Sequence, residues 1–203
     1  MPKPTALVLA AGQSRRFGDD KRLAKLENGQ SLLMATLQQA ASICDDIYLV
    51  IRADDQVLRD HILPFSQGVG KITIPTHTAQ IHWVVAEDAP LGMGHSLSEG
   101  VNALINHNID QCLIFLGDMP YIQLETLKTI AAELDKTTFT IPRVDGHWGH
   151  PIGVRSEAFH LLTHLSGDRG AKAVLKRHIE MIQFIDVADQ GILRDVDTPQ
   201  ALE

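Results

Sequence analysis

The stretch Ala6–Leu26, ALVLAAGQSRRFGDDKRLAKL, decides how the rest of the chain is interpreted. It opens with five apolar residues, 6–10, a length that suits a buried β-strand. The run breaks at Ala11-Gly12, and the loop that follows carries three cations, Arg15, Arg16 and Lys21. Small residues after a first strand let a ligand approach the backbone, and loop amides and cations favour an anion. The stretch therefore predicts an α/β fold whose first loop binds a nucleoside triphosphate; the alternative is an ordinary loop with solvated charges.

The spacing within this loop excludes two other phosphate-binding patterns. The sequence contains no G-x-x-x-x-G-K-[ST], so the loop is not a Walker A loop. It has no G-x-G-x-x-G after the first strand, so it is not a dinucleotide fingerprint. The cations come after the glycine turn and within the loop.

Composition limits the class of protein and its partners. The 203 residues are 44% hydrophobic and 21% charged, which suits one α/β domain. The net charge of −7 argues against nucleic acid as a partner, because it implies no basic face. An anionic substrate therefore requires a local cluster of cations or a metal ion.

The cysteines and the N-terminus give expectations about environment. Cys44 and Cys112 lie in separate apolar segments and are expected to be buried, reduced thiols. The sequence starts MPKP and enters the first strand without a signal peptide or an apolar run of about 20 residues. We expect a cytoplasmic location and no membrane partner.

Periodicity along the chain predicts alternating strands and helices. Further strands are expected at 46–51, 81–85, 111–116, 138–141 and 182–185. Helices are expected at 31–40, 55–63, 95–105, 123–134, 156–163 and 171–178. The segment 65–80 is interpreted as an excursion at the sheet edge with a β-like patch at 71–74, and 145–153 as a polar loop. This alternation predicts parallel βαβ units.

Three loops that follow predicted strands carry the chemistry. They span 12–21, 88–96 and 117–118, and in open α/β sheets ligands bind beyond the carboxyl ends of the strands. Asp118 comes directly after a buried strand, where it suits Mg²⁺, which prefers one or two carboxylates with phosphate oxygens and water. The alternative is that Asp118 caps a helix or forms a turn.

Two further pairs are candidates for metal or substrate binding. Asp195 and Asp197 face the same side of an extended segment, so both can approach one cation; alternatively, Asp197 caps a helix that starts at Pro199. His147 and His150 are three residues apart, but no third ligand with zinc spacing is near, which argues against zinc. His150 is expected to shape a substrate pocket.

Taken in order, these motifs resemble the molybdenum cofactor nucleotidyltransferases, a MobA-like group of NTP transferases. The segments that carry the resemblance span almost the whole chain: LAAGQSRRFGDDKRL (9–23), GMGHSL (92–97), LGDMP (116–120), GHPIG (149–153), SGDRGAKAVL (166–175) and DVDTP (195–199). The implied fold is a single-domain, three-layer Rossmann-like sandwich with a mostly parallel sheet, of the nucleotide-diphospho-sugar transferase type. Within the family, LAAG resembles the cytidylyltransferase branch, because guanylyltransferases typically have a second glycine in place of Ala11.

The resemblance implies a reaction and a role for each matching residue. CMP from CTP would be joined to the terminal phosphate of molybdopterin, with Mg²⁺ as cofactor and release of pyrophosphate. Catalytic roles are implied for Lys21, Arg16 and Asp118, with Asp118 and Asp197 as metal ligands. Nucleotide binding is implied for Leu9, Ala10, Ala11, Gly12, Arg15, Gly92, Gly94 and Ser96. Acceptor binding is implied for His150 and Asp168, which makes about 1–120 the nucleotide-binding part and about 121–203 the acceptor-binding part.

Three other functions remain open from the sequence. The chain could be a molybdopterin guanylyltransferase, or a related transferase whose acceptor is a sugar or polyol phosphate. A different class is a non-catalytic maturation factor that carries molybdopterin to a client molybdoenzyme. A carrier needs no catalytic metal, so the combination of Lys21 and Asp118 favours an enzyme.

Overall fold

The computed structural model describes residues 3–14, 17–62, 71–74, 77–168, 170–198 and 201. Its strands are β1 (Thr5–Leu9), β2 (Asp46–Arg52), β3 (Lys71–Ile74), β4 (His77–Ala86), β5 (Gln111–Leu116), β6 (Phe139–Val144), β7 (His147–Trp148), β8 (Ile152–Arg155) and β9 (Ile182–Asp186). Its α-helices are α1 (Leu32–Ala41), α2 (Gln56–Ile62), α3 (Met93–Asn106), α4 (Leu124–Glu133) and α5 (Lys172–Arg177). Short 3₁₀ helices include Lys21–Leu23, Ser156–Leu161 and Gln190–Leu193.

The described strands form one sheet in the order β3-β4-β2-β1-β5-β8-β6-β7, with β9 paired to β6. The strands β4, β2, β1 and β5 run parallel, as the βαβ pattern predicts. On the far side of β5, β8 runs antiparallel to both β5 and β6. The carboxyl ends of β1 and β5 therefore lie side by side in the middle of the molecule.

Apolar side chains on β1 alternate between two cores, one on each face of the sheet. Ala6 and Val8 join the core that contains α1, α2 and α4, whereas Leu7 joins the core that contains α3. The three are fully buried. This arrangement confirms the expected three-layer α/β sandwich with a mostly parallel central sheet.

The regular elements confirm the periodicity argument, and two predictions in the C-terminal part are wrong. The patch at 71–74 is a strand that pairs with β4 in a hairpin, whereas 63–70 and 75–76 lie outside the described residues. The predicted helix at 156–163 is a 3₁₀ helix that ends at Leu161. The predicted polar loop 145–153 instead contains β7 and the first part of β8.

Gly153 explains why β8 was not predicted. A Cβ at this position would lie 2.6 Å from the Leu134 side chain and 3.1 Å from Cβ of Thr140. The glycine is therefore a close-packing residue inside a strand, although several glycines in one short segment, as in 145–153, are typical of a loop.

Two expectations about environment can be compared with the structure. Cys44 and Cys112 are buried thiols outside any disulfide, as expected, and burial raises the pKa of each. Across the described part of the chain, every helix is too short or too polar to cross a bilayer. The cytoplasmic location stays a prediction.

Candidate active site

A cavity of about 420 Å³ lies where the chain leaves β1 and β5. Backbone hydrogen bonds extend past the strand ends: Gly117 N–H donates to the Leu9 carbonyl and Ala10 N–H to the Val50 carbonyl, each at 2.9 Å. The predicted site residues that line the cavity are Leu9, Ala10, Ala11, Gly12, Lys21, Gly92, Ser96, Asp118, Asp168 and Asp197. The structure thus brings together the three loops predicted to converge.

The first loop gives the cavity a close approach to the backbone. Ala10 and Ala11 are almost fully buried, so only a small part of each side chain faces the cavity. Gly12 is exposed, and a Cβ there would have no neighbour within 4 Å among the described residues. Packing therefore does not require a glycine at this position, and its effect is to leave the backbone open to a ligand.

Lys21 joins the first loop to two other parts of the chain. Its Nζ lies 2.6 Å from Oδ2 of Asp118 and 3.1 Å from Oδ1 of Asp197. Burial opposes the charge on Lys21, but the two carboxylates outweigh it and raise the pKa of the ammonium. Lys21 is therefore a fixed positive charge in the cavity.

Asp118, Asp195 and Asp197 form a cluster that suits a divalent cation. One carboxylate oxygen of each lies within 4.8 Å of the others. Lys21 is the cation that contacts two of these carboxylates, Asp118 and Asp197. Burial and the negative charges of Asp197 and Asp118 raise the pKa of Asp195.

Asp118 provides a separate test of whether a metal ion fits. Its Oδ2 binds Lys21, but its Oδ1 is buried and has no hydrogen-bond partner among the described residues. A buried carboxylate oxygen without a partner is costly unless a proton, water or metal ion satisfies it. The residues present therefore fit an oxygen-liganded cation such as Mg²⁺.

A C-terminal strap, residues 189–197, brings two of these carboxylates to the cavity. The buried Asp189 carboxylate accepts hydrogen bonds from the N–H groups of Gln123 and Gly191, each at 2.8 Å. The Ile192 carbonyl accepts from His150 N–H at 3.0 Å. Near its end, Val196 N–H donates to the Asp118 carbonyl at 3.0 Å, which places Asp195 and Asp197 on either side of that bond.

Two glycines, one in the strap and one in the loop before β8, make room for the contacts of the strap. A Cβ at Gly191 would overlap the carbonyl of Tyr121, and one at Gly149 would lie 2.6 Å from the Ile192 carbonyl. Sequence reasoning did not identify Asp189 as part of the site. Its signal was an aspartate two residues before a glycine, which is typical of a turn whose side chain accepts a backbone N–H.

The loop that carries Asp168 packs against the start of α3. Gly94 N–H donates to the Gly167 carbonyl at 2.8 Å, and a Cβ at Gly92 would overlap the Gly167 carbonyl carbon. Gly92 also has a φ of +124°, which disfavours a side chain. Gly92 thus lines the cavity and holds Asp168 at its wall, whereas Gly94 is not among the cavity-lining residues described.

His150 lies behind the cavity. It is absent from the cavity lining described, and its Nδ1 is 3.4 Å from the Ile114 carbonyl. Burial lowers the pKa of its imidazole, so the ring is neutral near pH 7. His147 is exposed, and within the described residues neither histidine belongs to a group of three metal ligands.

Several predicted residues lie outside the described part of the chain. These are Arg15, Arg16 and Pro199, so the structure does not test the two arginine roles or a helix start at 199. The cavity lining includes Asp195, the other half of the predicted aspartate pair. It also contains residues that the sequence analysis does not assign to the site: Gln13, Ser14, Phe17, Arg22, Ala89, Pro90, Met93, Leu116 and Gly117.

A first loop with an open backbone, a fixed lysine and a carboxylate cluster at the carboxyl edge of an α/β sheet suit a nucleotidyltransferase. Comparison with known proteins supports that class. The chain belongs to the MobA-like NTP transferase domain family, whose model matches residues 6–182.

Individual relatives span much of the chain. The purine catabolism protein PucB of Bacillus subtilis (strain 168) is 30% identical over 204 residues, which cover 98% of this chain and 94% of PucB. A probable molybdenum cofactor guanylyltransferase of Synechococcus elongatus is 50% identical over 152 residues, 73% of this chain and 69% of that protein. The crystal structure of Rv0371c from Mycobacterium tuberculosis H37Rv matches with a TM-score of 0.76 at 24% identity, over 98% of this chain and 95% of that one, and supports the fold.

Proposed function

We propose that this NTP transferase is a molybdenum cofactor cytidylyltransferase. A terminal phosphate oxygen of molybdopterin would attack the α-phosphorus of CTP, a new P–O bond would form, and pyrophosphate would leave. The observation that carries this proposal is the convergence of the first loop, Lys21 and three carboxylates on one cavity. Such a site can hold two anions in line and offset their repulsion.

The described residues support distinct roles at the phosphates. Lys21 is the described cation fixed inside the cavity next to Asp118, so we assign it to the triphosphate. Arg15 and Arg16 follow the glycine turn in sequence, and we assign them to phosphate binding on that ground alone. Removing one fixed charge that stabilises a transition state typically costs about 100- to 1000-fold in rate.

We assign Mg²⁺ to Asp118 and Asp197, with Asp195 as a third oxygen donor. The convergence of three carboxylates and the unpartnered Asp118 oxygen support a divalent cation. A protein of the same fold, Rv0371c, has also been solved in complex with manganese. When bound, Mg²⁺ supplies positive charge that stabilises charge developing on phosphate oxygens.

The choice of CTP rests on Ala11. Its side chain lines the cavity directly after β1, so its methyl group occupies space that a glycine would leave to a larger base. The Synechococcus elongatus relative is named a guanylyltransferase, which makes GTP the second candidate. Because the two nucleotides differ in base and not in phosphates, the catalytic assignment is the same for both.

The acceptor side is assigned to the C-terminal part. Asp168 lines the cavity wall, and its carboxylate would repel phosphates, so we assign it to donor groups of the acceptor. We place His150 on the same side, where its main chain ties β8 to the C-terminal strap. A client molybdoenzyme would receive the product, and the cytoplasm is the proposed location.

The test is pyrophosphate release from CTP, GTP, ATP and UTP with Mg²⁺, each with and without molybdopterin that carries molybdenum. We expect release with CTP plus acceptor, and an Ala11→Gly variant should use GTP better than the wild type does. Release with GTP alone among the four would retain the family and replace the base assignment. Release with a sugar or polyol phosphate would replace the acceptor, and cofactor binding without any release would favour a carrier.

A further inference from the structure

Arg22 lies under the first loop, and its surroundings differ from those of a phosphate ligand. It contributes to the cavity wall, yet only 3% of the residue is exposed. We propose that Arg22 is a positioning residue, which together with Asp20 and Asp55 locks the nucleotide-binding loop and Lys21 onto the sheet. This inference rests on the proposed nucleotide binding.

The guanidinium of Arg22 has no donor left for a ligand. It carries five N–H groups, in a fixed planar fork. Nε donates to Asp20 at 2.8 Å and Nη2 donates to Asp20 at 2.5 Å and to Asp55 at 2.6 Å. Nη1 donates to Asp55 at 2.6 Å and to the Ala10 carbonyl at 2.7 Å. All five donors are used within the protein.

On the loop side, these bonds fix the residues that flank Lys21. Asp20 accepts from the Arg22 N–H at 3.1 Å and so caps the 3₁₀ helix that begins at Lys21. The same carboxylate holds the Arg22 guanidinium, which in turn holds the Ala10 carbonyl at the start of the loop. The backbone of Lys21 is therefore held between two residues that bind each other.

On the sheet side, Asp55 anchors the network just beyond β2. Its side chain is 2% exposed and accepts from the Arg52 N–H at 2.8 Å and from the Arg52 guanidinium at 2.6 Å. Asp55 does not belong to the cavity lining described. It can therefore affect a nucleotide only through the side chains that it holds, Arg22 directly and Asp20 by way of Arg52.

The charges of this network cancel. Arg22 and Arg52 contribute two positive charges, and Asp20 and Asp55 contribute two negative ones. Burial favours the neutral carboxylic acids, but the hydrogen bonds from Arg22 outweigh it and keep the pKa of Asp20 and Asp55 below the usual value. The network thus holds the loop without adding net charge to the cavity.

The test measures equilibrium binding of CTP in the presence of Mg²⁺, by calorimetry, for wild type, Arg22→Lys and Asp55→Asn. If Arg22 acts by positioning, both variants weaken binding by about tenfold, because a lysine or an asparagine cannot complete the bidentate pair. If Arg22 were a phosphate ligand, Asp55→Asn would free its donors and leave binding unchanged or tighter. That result would overturn the inference.

A matched control and a kinetic comparison separate positioning from stability. Arg143→Lys breaks another bidentate pair, with Asp186 at 2.7 and 2.9 Å, away from the cavity, and should leave CTP binding unchanged. In the transferase assay, the KM for the nucleotide should rise while the KM for the acceptor stays constant, whereas partial unfolding would lower kcat with both KM values unchanged. Should Asp55→Asn not fold, Asp20→Asn breaks the loop side of the same network.

The outcomes distinguish this inference from the proposed function. If the wild type binds CTP and Arg22→Lys binds it within about twofold of the wild type, positioning by Arg22 is wrong and the proposed function stands. If the wild type binds GTP in place of CTP, the same comparison is made with GTP. If the wild type binds no nucleoside triphosphate, both the proposed function and this inference fail.

Discussion

Two regions of the molecule bring charged side chains to the same cavity in different ways. One is the pair of loops after β1 and β5, and the other is the C-terminal strap. The first loop and Asp118 follow parallel strands whose backbone pairing continues past the strand ends, through Ala10 and Gly117. Asp195 and Asp197 instead lie on a segment without long regular structure, held by side-chain, backbone and glycine contacts to other loops. The comparison teaches that the sheet places Asp118, whereas specific tertiary contacts place Asp195 and Asp197.

The largest expected effect is on Asp118, where the two regions meet. Asp118→Asn should lower kcat by about 1000-fold, because it removes a charge bound to Lys21 and a proposed metal ligand. The unfolding free energy should stay the same or rise, since one of three close carboxylates is gone. Steady-state kinetics and urea unfolding check both; the control is Asp186→Asn, an exposed carboxylate on β9. Activity near the wild-type level would rule out a catalytic Asp118.

Asp189 tests whether the strap depends on its buried anchor. Asp189→Ala should lower the unfolding free energy by about 2 kcal/mol, because it leaves the N–H groups of Gln123 and Gly191 without their acceptor. Asp189→Asn should cost less, since its amide oxygen can still accept one bond. In the Asn variant, activity should fall by more than the small loss of stability explains, because the strap carries Asp197. Equal stability of wild type and Asp189→Ala would contradict the anchor.

Gly92 tests the contact between the first part of the chain and the Asp168 loop. Gly92→Ala should lower the unfolding free energy by about 1 to 3 kcal/mol, because the residue has a positive φ and its Cβ overlaps Gly167. The control is Gly146→Ala, where φ is +78° but no described atom lies within 4 Å of the added Cβ. The difference between the two variants measures the overlap together with the less tolerant backbone conformation of Gly92, φ +124° and ψ 169°. Equal losses would mean that backbone conformation alone matters at Gly92.

The smallest expected effect compares two arginine-bound carboxylates, Asp55 in the first part and Asp186 in the second. Hydrogen bonds from arginine lower the pKa of both below the usual 3.8, although burial opposes this at Asp55. A carboxyl group whose pKa is lowered by folding stabilises the fold at any pH above its pKa in the unfolded state. That stability is lost as the pH falls through its pKa in the folded state. Salt of about 0.5 M screens the exposed ion pair, so it should bring the pKa of Asp186 back toward the usual value. The pKa of the buried Asp55 should stay low. An NMR titration of the carboxyl carbons measures both; equal salt responses would contradict the difference.

The sequence was sufficient to predict the elements of the parallel part of the sheet. Buried strands such as Gln111–Leu116 are short continuous apolar runs, and the loops after them converge by topology. It was not sufficient for β8, because Gly153 is a packing residue whose neighbours, Leu134 and Thr140, are distant in sequence. The local pattern of apolar residues does not reveal a contact between residues so far apart in sequence.

The candidate site was predictable to the same extent. Sequence position and family resemblance both predict Lys21, Asp118 and Asp197 as site residues. The structure places each of the two carboxylates within about 3 Å of the Lys21 ammonium. Arg22 and Asp189 were not selected, because each acts through partners that only the fold identifies: Asp55 for the first, Gln123 for the second. A buried charged residue that positions a site is not marked by any motif in the neighbouring sequence.

The central claim is that the strap completes a cation site begun by the parallel sheet. Its most direct test is Mn²⁺ binding in the presence of CTP, followed by electron paramagnetic resonance, for wild type, Asp118→Asn, Asp197→Asn and the control Asp186→Asn. We predict that Asp118→Asn and Asp197→Asn each weaken Mn²⁺ binding by about tenfold or more, that the control does not, and that Mg²⁺ competes. Wild-type affinity in Asp197→Asn, with loss only in Asp118→Asn, would contradict the claim.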